Sequence, residues 1–160
     1  MKYRFDQVTS DFKCRHCHQY VSTDPLLSGV NNRNHCPYCL WSRHMDLYQP
    51  GDRLSACKTE MRPLGVTLKQ TRKKYGVQQG ELMLVHRCVD CGSFSINRIA
   101  ADDDAGAIYA IYLDSLTLDA PTLAHAAAAG IQMLRAADAA VARARLFGIH
   151  AREALVSSFA

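Results

Sequence analysis

Seven cysteines and seven histidines in 160 residues are the side chains best able to do chemistry. Six of the cysteines fall in three C-x-x-C pairs, Cys14/Cys17, Cys36/Cys39 and Cys88/Cys91, and Cys57 stands apart. An odd number of thiols leaves one over from any disulfide framework. The leading residues Met1-Lys-Tyr-Arg-Phe-Asp lack the apolar core of a secretory signal, so a cytoplasmic location is expected. In that setting paired cysteines read as metal ligands before disulfides. Two thiolates on one tight turn present their sulfurs to the same side. Two such turns facing each other complete a tetrahedron around zinc, with Zn–S distances of about 2.3 Å.

Cys14-Arg-His-Cys17, eighteen residues, then Cys36-Pro-Tyr-Cys39 has the spacing of a four-cysteine structural site. A thioredoxin-like redox pair belongs instead at a helix start after a strand, whereas these cysteines sit among Gly, Asn and Pro. Four thiolates leave no open position for water. The second constellation is less regular. Cys88-Val-Asp-Cys91-Gly92 is a zinc knuckle without a matching pair, and Cys57 is the one cysteine left for it. A fourth ligand must be other than cysteine, and histidine is the obvious choice. His44, on the loop after Cys39, can swing in freely. His86, two residues before Cys88, is the alternative and is strained by its nearness to the knuckle. With three ligands only, the open position would hold water, and Glu60 or Asp90 would be the base of a hydrolytic site. Sequential and interleaved ligation both remain open. Two zinc ions are expected.

Arg33-Asn34-His35-Cys36-Pro37, followed by Tyr38-Cys39-Leu40-Trp41-Ser42-Arg43-His44-Met45-Asp46, resembles the signature of the RNHCP domain family. Pro50-Gly51-Asp52-Arg53 with Cys57, His86-Arg-Cys88 with Cys91-Gly92, and Asn97-Arg98 before the Asp run follow in the same order. The resemblance covers roughly residues 10–104. It implies a bacterial, zinc-bound, zinc-ribbon-like fold and no defined activity. The alanine-rich tail from about Asp104 onward lies outside it.

The elements that must position these residues are short. Residues 1–12 alternate around Tyr3 and Phe5 as an edge strand would. Residues 13–63 carry turn chemistry, and so short a segment needs a metal in place of a large core. Strands are expected over 64–68, 81–87 and 93–99 as an antiparallel sheet. Asp102-Asp103-Asp104 cap a helix from Ala105 to Leu116, with a hard-cation site as the lesser reading. A second, alanine-rich helix is expected over 120–147, because Leu123, Leu134 and Val141 fall near one direction with Ile131 beside them. The fold class is therefore small α+β: a zinc-ribbon-like domain over residues 1–104, then a helical C-terminal extension over 105–160 that packs on it or self-associates. No stretch has the roughly 20 apolar residues of a membrane span.

Charge divides along the chain. Residues 1–100 hold 15 Lys/Arg against 8 Asp/Glu, net +7, and residues 101–160 are net −3. A basic, metal-bound head with interleaved aromatics suits stacking on unpaired bases and pairing with phosphate. The contact residues expected are Arg33, Trp41, Arg43, Arg53, Arg72, Lys73 and Lys74, and the expected partner is RNA, the ribosome included. A protein-interaction adaptor using the alanine-rich helices is the alternative, and a metal-dependent hydrolase the second. The sequence holds no H-x-E, no nucleotide-binding glycine loop and no G-x-S-x-G, which disfavours deaminase, nucleotide-binding and serine-hydrolase chemistry.

Overall fold

A computed structural model describes residues 11–49, 51–69 and 80–148. Two antiparallel sheets and a set of short helices make up its α+β architecture. The small sheet pairs β1 (Phe12–Lys13) with β2 (Tyr20–Val21) around the first cysteine turn. The large sheet has the order β3-β4-β5-β6: β3 is Ser42–Arg43, β4 Glu60–Lys69, β5 Glu81–Cys88 and β6 Phe94–Arg98. The three longer strands match the expected segments to within a few residues. They read as strands because β-branched and apolar residues alternate or run together there between turn residues. The register of β4 on β5 shifts between Pro63 and Gly65. Pro63 cannot donate to a ladder, and a shift absorbs that loss.

Leu82 and Leu84 of β5 and Val66 of β4 bury their side chains against Ile108 and Tyr112 of the helix α2 (Ala105–Ser115), together with Leu40, Leu134 and Ala142. Residues on both sides of position 104 thus share one core. The opposite face of the sheet buries Val85, with Phe94 and Ile96, against Ala126 of α3 (Ala120–Ala128) and against Ile131 and Met133. A four-residue helix α1, Pro25–Ser28, is started by Asp24 and stopped by Gly29 at φ 70°.

The expected long helix over 120–147 is not one helix. It is α3, then an extended segment, then a 3-10 turn and α4 (Ala139–Phe147). Gly130 at φ 81° ends the first piece. Met133 then bridges Thr67 of β4, Leu134 N donates to Val66 O at 2.9 Å, and the Thr67 hydroxyl donates to Gln132 O at 2.6 Å. Strand-like pairing to the sheet outweighs alanine's helix preference there. The apparent helical stripe is split between clusters: Leu123 and Ile131 serve one face of the sheet, Leu134 serves the other, and Val141 is exposed. Among the described residues no helix is long and apolar enough to cross a membrane.

Candidate metal centres

Each C-x-x-C pair folds into the same turn. Cys14 N donates to Gln19 O and His18 N to Cys14 O; Cys36 N donates to Trp41 O and Leu40 N to Cys36 O; Cys88 N donates to Ser93 O and Gly92 N to Cys88 O. All six bonds are 2.8–3.1 Å. In every case the residue after the second cysteine has positive φ: His18 63°, Leu40 64°, Gly92 74°. Gly adopts that conformation freely, whereas His and Leu are strained in it. Closing the turn so that both sulfurs face inward is what the strain accomplishes.

The turns assemble two tetrads, Cys14/Cys17/Cys36/Cys39 and His44/Cys57/Cys88/Cys91, with the donor atoms of each within 4.8 Å of one another. Cys14 and Cys39 sulfurs are 3.6 Å apart, Cys17 and Cys36 3.5 Å, Cys57 and Cys88 3.6 Å, and Cys91 Sγ lies 3.4 Å from His44 Nδ1. The sulfur–sulfur distances are too long for disulfides, at about 2.05 Å. They match the edge of about 3.8 Å of a tetrahedron whose corners lie about 2.3 Å from its centre. The two tetrads use the donors in sequential order rather than interleaved, the first from residues 14–39 and the second from three separate segments over 44–91.

The electrostatics fit a cation. Burial pushes the Cys36 thiol up to about 11 and Cys39 higher still, and it also raises Cys88. Thr59 beside Cys57 and Ser93 beside Cys91 lower those two thiols. Four crowded thiols of this kind ionise together only when a divalent ion compensates their charge. Each tetrad can hold one metal ion, and each offers four donors.

His86 does not join either tetrad. Its ring is fully buried, with Nε2 2.7 Å from Leu40 O and Nδ1 2.9 Å from Asn97 Nδ2. The amide donates to Nδ1, so Nε2 carries the proton and donates to the carbonyl of Leu40. That residue is the positive-φ position of the second cysteine turn. His86 is thus a brace between β5 and the first tetrad. Asp90 Oδ2 stands 3.8 Å from Cys57 Sγ, and Glu60 begins β4. Neither faces an open coordination position, because His44 supplies the fourth donor.

The residues around the first tetrad are held by ion pairs that spacing did not reveal. Arg33 is buried rather than presented to a polyanion, which corrects the expectation for it. Its guanidinium pairs with Asp102 at 2.8 Å and Asp103 at 3.2 Å, and its Nε donates to His35 O. His35 Nε2 lies 2.6 Å from the other oxygen of Asp103. Of the Asp triplet, Asp104 alone caps α2, by accepting from Ala107 N. Asn34 bridges Asp46 and Arg53, and so Arg53 is engaged inward. Asp52 accepts from the backbone N–H groups of Leu47, Tyr48, Gln49 and Leu54 at 2.8–3.0 Å. Against the opposing effect of desolvation, these four donors hold its carboxyl well below the usual range.

Arg43 places its guanidinium 3.8 Å from the Phe12 ring, and burial, with Arg53 and Arg15 nearby, lowers its pKa. Trp41 is partly exposed. The His16 ring lies flat on it, with centroids 4.0 Å apart and planes 6° from parallel. His16 was not singled out from the sequence, although its place inside the first C-x-x-C pair was the available signal. Arg72, Lys73 and Lys74 lie outside the described residues.

The model of the RNHCP domain matches residues 9–109, which is most of the chain and includes all eight donor residues. This chain belongs to the RNHCP domain family. Residues 33–37 spell the family's name, and the structure gives these residues distinct tasks. Cys36 is a donor of the first tetrad, while Arg33, Asn34 and His35 reach into the buried polar network that ties it to the rest of the domain. The family match ends within α2, so α3 and α4 complete the core of this RNHCP protein from outside the matched region. No curated protein and no solved structure matches the chain.

Proposed function

We propose that this RNHCP protein is a two-zinc module that binds single-stranded RNA, ribosomal RNA included, through the face around its first metal centre. Zinc suits the donor sets: tetrahedra of four cysteines, or of three cysteines and a histidine, are structural zinc sites, and both are closed. Eight protein donors for two ions leave no position for a water nucleophile, which speaks against the hydrolase reading.

The observation that carries the RNA reading is the His16–Trp41 stack beside exposed cations and aromatics. Arg15 is exposed, as are Tyr38 and Tyr20, and Lys13 lies 5.9 Å from the Tyr20 ring. A flat π surface on a metal-stiffened turn, rimmed by cations, supports stacking of unpaired bases while the cations meet phosphate. The contact set so defined is Lys13, Arg15, His16, Tyr38 and Trp41, in place of Arg33 and Arg53.

Titration of the zinc-loaded protein with a fluorescent uridine-rich oligonucleotide tests this. Stacking contributes about 1–3 kcal/mol per base, so Trp41→Ala should weaken binding by about fivefold or more at unchanged zinc content. The logarithm of the binding constant should fall linearly with the logarithm of salt concentration, and Arg15→Gln should make that slope shallower. Salt-independent binding, or a Trp41→Ala protein that binds as well as the parent, refutes the reading.

A further inference from the structure

The two tetrads differ in what covers them. Cys14, Cys36 and Cys88 are buried, Cys17, Cys39 and Cys57 are half-buried, and Cys91 alone of the eight donors is exposed. Phe12 and Val21 pack with the cysteines of the first tetrad. Cys57 and Cys91 lie instead beside polar groups. Thr59 Oγ1 is 3.1 Å from Cys57 Sγ, Asp90 Oδ2 is 3.8 Å from it, and Ser93 Oγ is 3.2 Å from Cys91 Sγ. Val89, Asp90, Cys91 and Ser93 are all exposed, so the turn between β5 and β6 presents its second sulfur to solvent.

We propose that Cys91 is a site of oxidative modification: a peroxide takes its sulfur first, and the oxidised sulfur closes a disulfide onto Cys57 that dismantles the second tetrad while the first stays whole. The inference rests on the reading of both tetrads as zinc centres and not on RNA binding. Thiolate character and exposure together decide which cysteine an oxidant attacks. In the metal-bound protein all seven sulfurs are thiolates. Exposure is then what separates them, and it singles out Cys91.

The Cys91 thiolate attacks one oxygen of the peroxide. The O–O bond breaks, and the leaving hydroxide takes up a proton to become water. Cys91 is then a sulfenic acid. The Cys57 thiolate attacks that sulfur, the S–S bond forms, the S–O bond breaks, and a second hydroxide leaves as water. Two thiolates have passed two electrons to one peroxide. Cys57 is the better placed partner. The donor atoms lie within 4.8 Å of one another, so reaching the roughly 2.05 Å of a disulfide requires one sulfur to travel. Cys57 has exposed Ala56 and Lys58 on either side. Cys88 is buried at the end of β5, with its N–H bonded to Ser93 O. Cys88 and His44 are then the remaining donors, and a structural zinc site uses four.

The test loads the full-length protein with two zinc ions and adds hydrogen peroxide beside a coloured chelator that reports free zinc. One ion per chain should be released about tenfold faster than the other, following the exposure of the thiolates. Mass mapping at that stage should find Cys57 joined to Cys91, with Cys14, Cys17, Cys36 and Cys39 still reduced. Dithiothreitol and fresh zinc should restore both ions. Cys91→His keeps a donor at the exposed place and should slow release of the first ion by about tenfold, with zinc content reporting that both centres fill. If the variant loses zinc, the map of the parent protein decides by itself. Fewer than two ions per chain before peroxide overturns the two-zinc reading and this inference with it. Two ions released at one rate, oxidation of the first tetrad ahead of Cys91, or another partner for Cys91 overturns this inference alone.

Discussion

Arg33 and His35 meet Asp102 and Asp103 across 68–70 residues of chain, with the side chains of Arg33 and Asp103 wholly removed from solvent. Breaking a buried ion pair strands the remaining charge, so Arg33→Leu should cost about 3–5 kcal/mol in denaturant unfolding. A loss of under about 1 kcal/mol, the worth of an exposed pair, would show the cluster to be solvated. His86 makes a second residue-scale prediction. Burial holds its pKa down to about 3 from an ordinary 6.5; the Leu40 carbonyl opposes this and His35 adds to it. As pH falls from 6.5 toward 3, the unfolded chain takes up a proton that the folded chain refuses. Stability therefore declines, by up to about tenfold in the folding constant per pH unit. Protonation of the metal ligands contributes to the same decline, so the comparison is with His86→Gln, whose slope over this range should be shallower. Coincident slopes would mean that the ring titrates normally.

At the scale of elements, the contact between β4 and the segment after α3 decides how the C-terminal third folds. Gly65 lies where a Cβ would strike Met133 Cε and come within 2.9 Å of Ser115 Cβ. Gly65→Ala should destabilise the protein by about 1–3 kcal/mol through overpacking. Amides of residues 131–134 should lose exchange protection before those of β5. If the variant is as stable as the parent, the bridge from Thr67 to Met133 is not tight. The cysteine turns are elements of another kind. Each closes with two backbone hydrogen bonds and one positive φ, so its geometry is nearly complete before any tertiary contact forms.

For the whole molecule, the two tetrads replace part of a hydrophobic core. The cluster at the first tetrad contains little beyond Val21, Phe12 and the cysteines themselves. The second tetrad joins the loop after β3, the approach to β4 and the turn between β5 and β6. Chelation should therefore unfold residues 11–61 first, seen as loss of the near-ultraviolet signal of Trp41 and of amide protection there. Zinc should restore both at two ions per chain. A protein that keeps this region ordered after exhaustive chelation would place its cohesion elsewhere. The Leu82, Leu84 and Ile108 core should outlast the first tetrad, because it is apolar and is shared by sheet and helices.

The sequence by itself marked the seven cysteines as donors for two groups and left the last place open between His44 and His86; the fold gathers His44 there. A C-x-x-C turn is a local structure, so three such turns and Cys57 are legible as donors, whereas the choice between His44 and His86 and the pairing of the turns are not local. It also marked the three long strands and α2, whose periodicity and capping are local too. Only the tertiary structure decided what the cations of the N-terminal half do. Spacing records which charges a chain carries, whereas pairing depends on which carboxylates the fold brings near, as Asp102 and Asp103 are brought to Arg33. The break after α3 was equally out of reach, because the partner that draws Met133 and Leu134 out of a helix is a strand more than sixty residues earlier.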